Sequence, residues 1–338
     1  MGLEVAVSFW FLIVILLFLI LIPSQPQRLR RRLRLRNPRI DRRFQSQAMR
    51  RARGIDVANL EERVYSFVRQ IMPPIRLVST DFDGTLHADF EDPPVPRDLQ
   101  ALLGELQSKG VKWVINTGRD LSSVMEGMAR ARLSVHPDFL VTVEREVHYR
   151  EGSHYYPLAE WNSACSHDHE ELFARVRPDI PELETWVSKR FRATLYEDAF
   201  SPFCLIAENN ADADAIHEFL DGYCGRVPNL TVVRNDIYAR FCHASYNKGT
   251  ALEKIACQLG IGREEILAAG DHYNDLPMLS GQFAACVVAP DNAIPQVKEI
   301  VRYQNGYVSH QPWGHGVARG LEYYLGRGAS DNTAGLAD

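Results

Sequence analysis

The chain lacks any Cys-x-x-Cys pair, although it carries six cysteines in 338 residues. Cys165, Cys204, Cys224, Cys242, Cys257 and Cys286 are scattered singly, which excludes a disulfide framework and a thiolate zinc site. Cys204 and Cys286 lie in apolar stretches, where a free thiol behaves as a small hydrophobe, and this fits a reducing compartment. In the stretch Cys165-Ser-His-Asp-His-Glu-Glu171 the His-x-His spacing lacks a helical i,i+4 pairing, and the stretch reads as a solvated helix start. Net basic charge is also missing from most of the chain. Residues 24–53 hold twelve arginines against Asp41, so a net charge of -5 leaves about -15 on residues 54–338. An acidic body argues against nucleic acid as its partner.

The N-terminus lacks what a cleaved leader needs. Its first residues are Met-Gly-Leu-Glu, with no basic region, and no Ala-x-Ala site follows. Position 6 is Ala, so the pattern for N-myristoylation is incomplete. Residues 5–22 form an uncharged apolar run, roughly 27 Å long as a helix, ended by Pro23. The sequence therefore predicts a single-pass anchor over 1–23. The arginine cluster at 28–36 would lie against anionic headgroups and keep the body of the chain in the cytoplasm. Residues 24–72 read as a basic neck followed by an amphipathic helix carrying Val57, Leu60, Val64, Phe67 and Ile71.

With 46% apolar residues, the length suits about two domains. The chain is organised around Ser79-Thr-Asp-Phe-Asp-Gly-Thr-Leu86, in which Asp81 and Asp83 follow the apolar run 75–78. This reads as a buried strand, with Gly84 allowing a sharp turn. A helical face at Leu99, Leu102, Leu103 and Leu106 precedes a second strand, 111–115, which runs into Asn116-Thr117-Gly118-Arg119 with Asp120 as N-cap. A strand–helix–strand unit of this length predicts a parallel pair with a right-handed crossover, placing Thr117 at the same sheet edge as Asp81. A Thr hydroxyl and turn amides there suit phosphate oxygens.

Residues 138–148 read as another strand entering a hairpin. The segment 150–240 changes character, with short strands at 203–207 and 230–234 around a helix near 211–222, and reads as a smaller inserted α+β domain. The core resumes with Asn247-Lys248-Gly249-Thr250 opening a helix. A lysine at a helix start makes sense where the helix end and the lysine face a shared anion. Strand 266–269 then delivers Gly270-Asp271-His-Tyr-Asn274-Asp275, and strand 284–288 and a helix near 314–325 follow. Four carboxylates (Asp81, Asp83, Asp271 and Asp275) gathered at one edge call for a cation, and oxygen-only ligands select a hard ion, Mg²⁺. With Thr117 and Lys248 the set makes a phosphoryl site.

These four motifs, in this order, resemble the haloacid dehalogenase-like phosphohydrolases. Phe139-Leu-Val-Thr-Val-Glu-Arg-Glu-Val-His-Tyr149, Tyr155-Tyr-Pro157, Glu160-Trp161 and Val308-Ser-His-Gln-Pro-Trp-Gly-His-Gly are similar to the sucrose-phosphatase branch, over roughly 74–325. That branch usually shows Gly-Thr before its Glu, where this chain has Val143-Glu144-Arg145-Glu146. The resemblance implies an α/β fold: a Rossmann-like core, a parallel sheet with helices on both faces, over 73–149 and 241–327. An inserted α+β type II cap would occupy 150–240, with a disordered tail at 328–338. It implies that Asp81 is the nucleophile and Asp83 the acid/base, and that Thr117, Gly118, Lys248 and Asn274 hold the phosphoryl oxygens. Asp271 would bind Mg²⁺ with Asp81 and the Asp83 carbonyl, with Asp275 and Asn274 orienting that shell. Arg119, Glu144, Tyr155 and Tyr156 are implied as substrate contacts. The expected activity is a Mg²⁺-dependent phosphatase of a phosphosugar or similar small phosphometabolite. A phosphosugar mutase on the same fold and a non-catalytic, membrane-tethered binding module are the alternatives.

Overall fold

The structure, a computed structural model, describes residues 75–327. Strand β1 (Leu77–Thr80) is buried throughout and pairs in parallel on both sides, with β10 (Ile266–Ala269) and β2 (Lys112–Asn116). Strands covered on both faces read as unbroken apolar runs, which is why these three are plain in the sequence. The sheet extends through β3 (Phe139–Thr142) to the antiparallel strands β4 (Glu146–Glu151) and β5 (His154–Pro157). On the other side it extends through β11 (Cys286–Ala289) to the two-residue β12 (Tyr307–Val308). The eight strands run in the order β12-β11-β10-β1-β2-β3-β4-β5.

Alternation along the strands feeds two cores. Val78, Ile115 and Leu140 face α1 (Arg97–Ser108), α2 (Leu121–Arg130) and α8 (Trp313–Tyr324). Leu77, Val114 and Val141 face α6 (Lys248–Leu259) and α7 (Pro295–Tyr303). The parallel sheet with helices on both faces is thus present. The strand end of β2 leads into α2, whose N-cap Asp120 accepts a hydrogen bond from the Ser123 amide at 2.8 Å.

A second, four-stranded antiparallel sheet has the order β6-β7-β9-β8. It is built from β6 (Ala193–Tyr196), β7 (Cys204–Ala207), β8 (Leu230–Asn235) and β9 (Tyr238–His243). Helices α3 (Ala159–Val176), α4 (Ile180–Ser188) and α5 (Asn210–Cys224) pack on it around Leu172, Leu205, Ile216 and Phe241.

Several expectations change. The boundary at 150 falls inside β4 and that at 240 inside β9. β5 still pairs with β4 in the large sheet, so the chain leaves that sheet after Pro157 and re-enters the core at α6. The histidine stretch 165–171 lies within α3 rather than at a helix start, and His169 is buried there. The placement of the chain as a single-pass membrane protein is corrected. Among the described residues no helix is long and apolar enough to cross a membrane, and the expected anchor, neck and amphipathic helix lie outside the described residues. The expected disordered tail at 328–338 lies outside them as well.

Candidate active site

The carboxyl ends of β1, β2 and β10 meet at one edge of the large sheet. Parallel register sets Thr80 beside Ala269 and Ile115, so Asp81, Asn116 and Gly270 arrive together. Asp81 is 5% exposed. Its Oδ1 accepts from Lys248 Nζ at 2.6 Å, and the same ammonium donates to Asp275 Oδ1 at 2.6 Å. Asp275 Oδ2 in turn accepts from the amides of Asp271 and His272, at 2.8 and 2.9 Å, bracing the loop that presents Asp271. Thr85 Oγ1 donates to Asp271 Oδ1 at 2.6 Å. Gly84 has φ +78°, and a Cβ there would meet Asp271 Oδ2 at 2.5 Å, so both backbone conformation and space require glycine.

Electrostatics follow from this burial. Desolvation pushes the Asp81 carboxyl well above its ordinary value, and the Asp275 and Asp271 charges add to the push while Lys248 opposes it. Asp271 is pushed up to about 7, by burial first and the Asp275 charge second. Burial alone would lower Lys248, but the Asp275 and Asp81 carboxylates outweigh it and hold the ammonium charged. Asp81, Asp271 and Asp275 each offer an oxygen within 4.8 Å of the others. The mutual charge that helps push Asp81 and Asp271 up is what a divalent cation would relieve, and such an ion suits this oxygen-only set. The Asn274 Oδ1, buried nearby without a hydrogen-bond partner, is a further oxygen donor.

Asp83 stands apart from that group. Arg119 clamps its carboxylate through Nε to Oδ2 at 2.7 Å and Nη2 to Oδ1 at 2.5 Å, and the guanidinium lies 5.1 Å from the Phe82 ring centre. Asp83 therefore joins the cation group at most through its backbone, as the resemblance implies. Thr117 is buried, and its Oγ1 accepts from the Arg119 amide at 3.2 Å. Asn116 Nδ2 donates to the Lys248 carbonyl at 2.9 Å and ties the end of β2 to the start of α6. The expectation of an anion shared by that helix start and Lys248 is corrected. The Gly249 and Thr250 amides are taken by the Asn247 side chain, and the lysine's anions are Asp81 and Asp275.

A cleft of about 230 Å³ opens above Asp81, Asp83, Thr117, Gly118 and Arg119. Its other wall comes from the smaller sheet: Tyr196, Asp198, Asn235, Tyr238 and Arg240. Between the walls, Glu144 follows Val143 in a turn where both residues have positive φ, +44° and +68°. The Glu144 Oε1 accepts from Asn274 Nδ2 at 3.0 Å.

The matched families decide the reading of this site. Residues 74–195 match the family model for sucrose-6F-phosphate phosphohydrolase, and residues 167–321 match that for haloacid dehalogenase-like hydrolase. The chain belongs to the haloacid dehalogenase-like hydrolases. Within this family its likeness is to the sucrose-phosphatase branch, and it is a phosphoric monoester hydrolase. Among its relatives is a 5-amino-6-(5-phospho-D-ribitylamino)uracil phosphatase of Bacillus subtilis, 25% identical over 259 residues, covering 74% of this chain and 96% of its own. A second Bacillus subtilis phosphatase of the same name is 42% identical over 140 residues, 40% of this chain and 47% of its own. The sucrose-phosphatase of Synechocystis sp. PCC6803, solved with sucrose and phosphate, superposes with a TM-score of 0.58 at 19% identity, over 75% of this chain and 99% of its own, and shows the fold.

In this hydrolase the structure brings Asp81, Asp83, Thr117, Gly118, Arg119 and Glu144 together around one cleft, with Lys248, Asp271, Asn274 and Asp275 beneath it. Tyr155 and Tyr156 are not there. Both lie on β5 at the sheet's edge, where Tyr155 donates to the Pro137 carbonyl and Tyr156 is 43% exposed. The cleft's tyrosines are Tyr196 and Tyr238 instead. These, with Asp198, Asn235 and Arg240, carry no motif, and only the pairing of β6 to β9 assembles them.

Proposed function

We propose that the chain is a Mg²⁺-dependent phosphatase of small polyhydroxylated phosphometabolites, phosphosugars first among them, acting through an aspartyl-phosphate on Asp81. The observation that carries this is the fixed Asp81 carboxylate, held by Lys248 at 2.6 Å within the Asp81, Asp271 and Asp275 group. The relatives add support for the substrate class, being named for a phosphoribityl compound and for sucrose phosphate.

An Asp81 oxygen attacks phosphorus while the bond to the leaving oxygen breaks. Asp83 gives that oxygen a proton, then takes one from the water that hydrolyses the acyl-phosphate, restoring the Asp81 carboxylate and freeing phosphate. For the first transfer Asp83 must turn from Arg119 toward the leaving oxygen. Thr117, Gly118, Lys248 and Asn274 position the phosphoryl oxygens. Asp81 and Asp271 would hold Mg²⁺, with Asp275 fixing their loop, and the ion supplies charge stabilisation to the phosphoryl group when bound. Arg119 and Glu144 meet the substrate, and 159–243 acts as its cap.

The test is phosphate release from a phosphosugar panel with and without Mg²⁺. Chelation abolishes turnover, and Asp81→Asn lowers it by about 10⁴-fold or more while thermal unfolding stays cooperative. Normal turnover by a folded Asp81→Asn chain would refute the mechanism.

A further inference from the structure

Three cationic side chains meet this centre among the described residues, and they differ in how far their hydrogen-bond donors are already committed. Lys248 spends two of its donors on Asp81 and Asp275. Arg119 spends Nε and Nη2 on the two Asp83 oxygens and reaches the Ser123 carbonyl through Nη1 at 3.4 Å. Arg240, on β9 of the smaller sheet, makes one hydrogen bond, from Nη2 to the Gly118 carbonyl at 3.3 Å. It leans over the turn that follows Thr117, beside Asp81. Its counter-ion is Glu144, whose Oε2 lies 3.7 Å from Nη2. That oxygen is buried and accepts no hydrogen bond.

A plain strut between the two sheets would close this pair as a bidentate fork, as Arg119 does with Asp83. The Arg240 pair is instead held at ion-pair distance, with most of the guanidinium's five donors unspent. Burial disfavours the Arg240 charge, and Glu144, Cys242, Asp198 and Cys204 together more than offset this, so the cation is kept in a desolvated wall where an anion gains most from it. Two consecutive left-handed residues, Val143 and Glu144, place that carboxylate, a conformation that is strained at non-glycine positions and is retained where surroundings impose it.

We propose that Arg240 is a phosphoryl-binding residue supplied by the smaller sheet, and that Glu144 holds its guanidinium over the Gly118 turn, ready to be taken over by the substrate's phosphoryl oxygens. The proposal rests on the phosphatase reading and extends its phosphate-binding set beyond the large sheet. Arg240 and Glu144 form a releasable pair: the guanidinium exchanges a carboxylate at ion-pair distance for a dianion that fits its planar fork.

The experiment titrates the full chain, in Mg²⁺, with inorganic phosphate by calorimetry, and measures kcat and KM for p-nitrophenyl phosphate, whose leaving group offers no hydroxyls. Arg240→Gln weakens phosphate binding by about 10- to 100-fold and lowers kcat/KM in proportion. Arg240→Lys recovers part of both, and the melting temperatures of all three proteins agree within a few degrees. An Arg240→Gln chain that binds phosphate within twofold of wild type overturns the proposal while leaving the phosphatase reading intact. So does a loss of affinity that tracks a loss of stability and is not recovered by lysine. A wild-type chain that neither binds phosphate nor hydrolyses the ester overturns both.

Discussion

The two walls of the cleft are built on opposite terms. On the large sheet, Lys248 and Asp275 are fully buried, and each carboxylate is held by an ammonium, a guanidinium, a hydroxyl or backbone amides. On the smaller sheet, Tyr196 and Tyr238 are 40% and 51% exposed, and Arg240 makes a single hydrogen bond. One wall is fixed before any substrate arrives, and the other offers groups still free to bond. Chemistry that depends on charge placement belongs on the fixed wall, where Asp83 alone has to turn as charge develops. Discrimination among leaving groups belongs on the other, where contacts can be exchanged at small cost.

That contrast can be broken most severely at Lys248. Lys248→Met leaves two buried carboxylates without their cation, and we expect it to lower unfolding stability by about 3–5 kcal/mol, besides abolishing phosphate release. Urea unfolding checks the first, and a stability loss under 1 kcal/mol would show that the ion network is not what fixes this wall. The next largest effect lies within the inserted unit. His169 Nδ1 donates to the Cys165 carbonyl at 2.7 Å and Nε2 accepts from the His243 amide at 3.0 Å, so both nitrogens are engaged by the neutral ring. Burial, then the Arg145 charge, push it down to about 3 from 6.5. A base with a depressed folded value contributes its stability above pH 6.5 and loses it as the pH falls toward 3. We expect the protein to lose roughly 3 kcal/mol through this group between pH 7.5 and 4.5, and His169→Gln to remove that share of the slope. The smallest effect sharpens the contrast directly. Tyr238→Ala should raise KM for a good phosphosugar about tenfold with kcat nearly unchanged. Tyr156→Ala should leave both within about twofold, and equal effects from the two tyrosines would place the substrate elsewhere.

What the sequence makes legible follows the same division. Asp81, Thr117 and Asp271 each end a short apolar strand, so local pattern and the rule that crevices open at strand ends place them without any contact information. Helix α7 opens on Pro295 and β12 has only two residues, and the sequence reading passes over both. The pair Tyr155-Tyr156 looks like a ring platform for a ligand. The two-residue period of a strand decides otherwise, since Tyr155 packs on the core and Tyr156 faces outward at the edge. Arg240, Tyr196 and Asn235 come from three strands whose order, β6-β7-β9-β8, is set by tertiary pairing alone. Glu144 is visible as a motif residue, yet its pairing with Arg240 spans 96 positions and no local signal carries it.

The hydrogen bond from Asn116 to the Lys248 carbonyl has a mechanical meaning. The chain returns from its inserted segment at Asn247, whose side chain caps α6, and the next residue is riveted to the tip of β2. The backbone that carries the ammonium is therefore referenced to the large sheet and not only to the inserted segment. An anchor at that point separates the position of the reacting centre from the path the chain takes through the insertion.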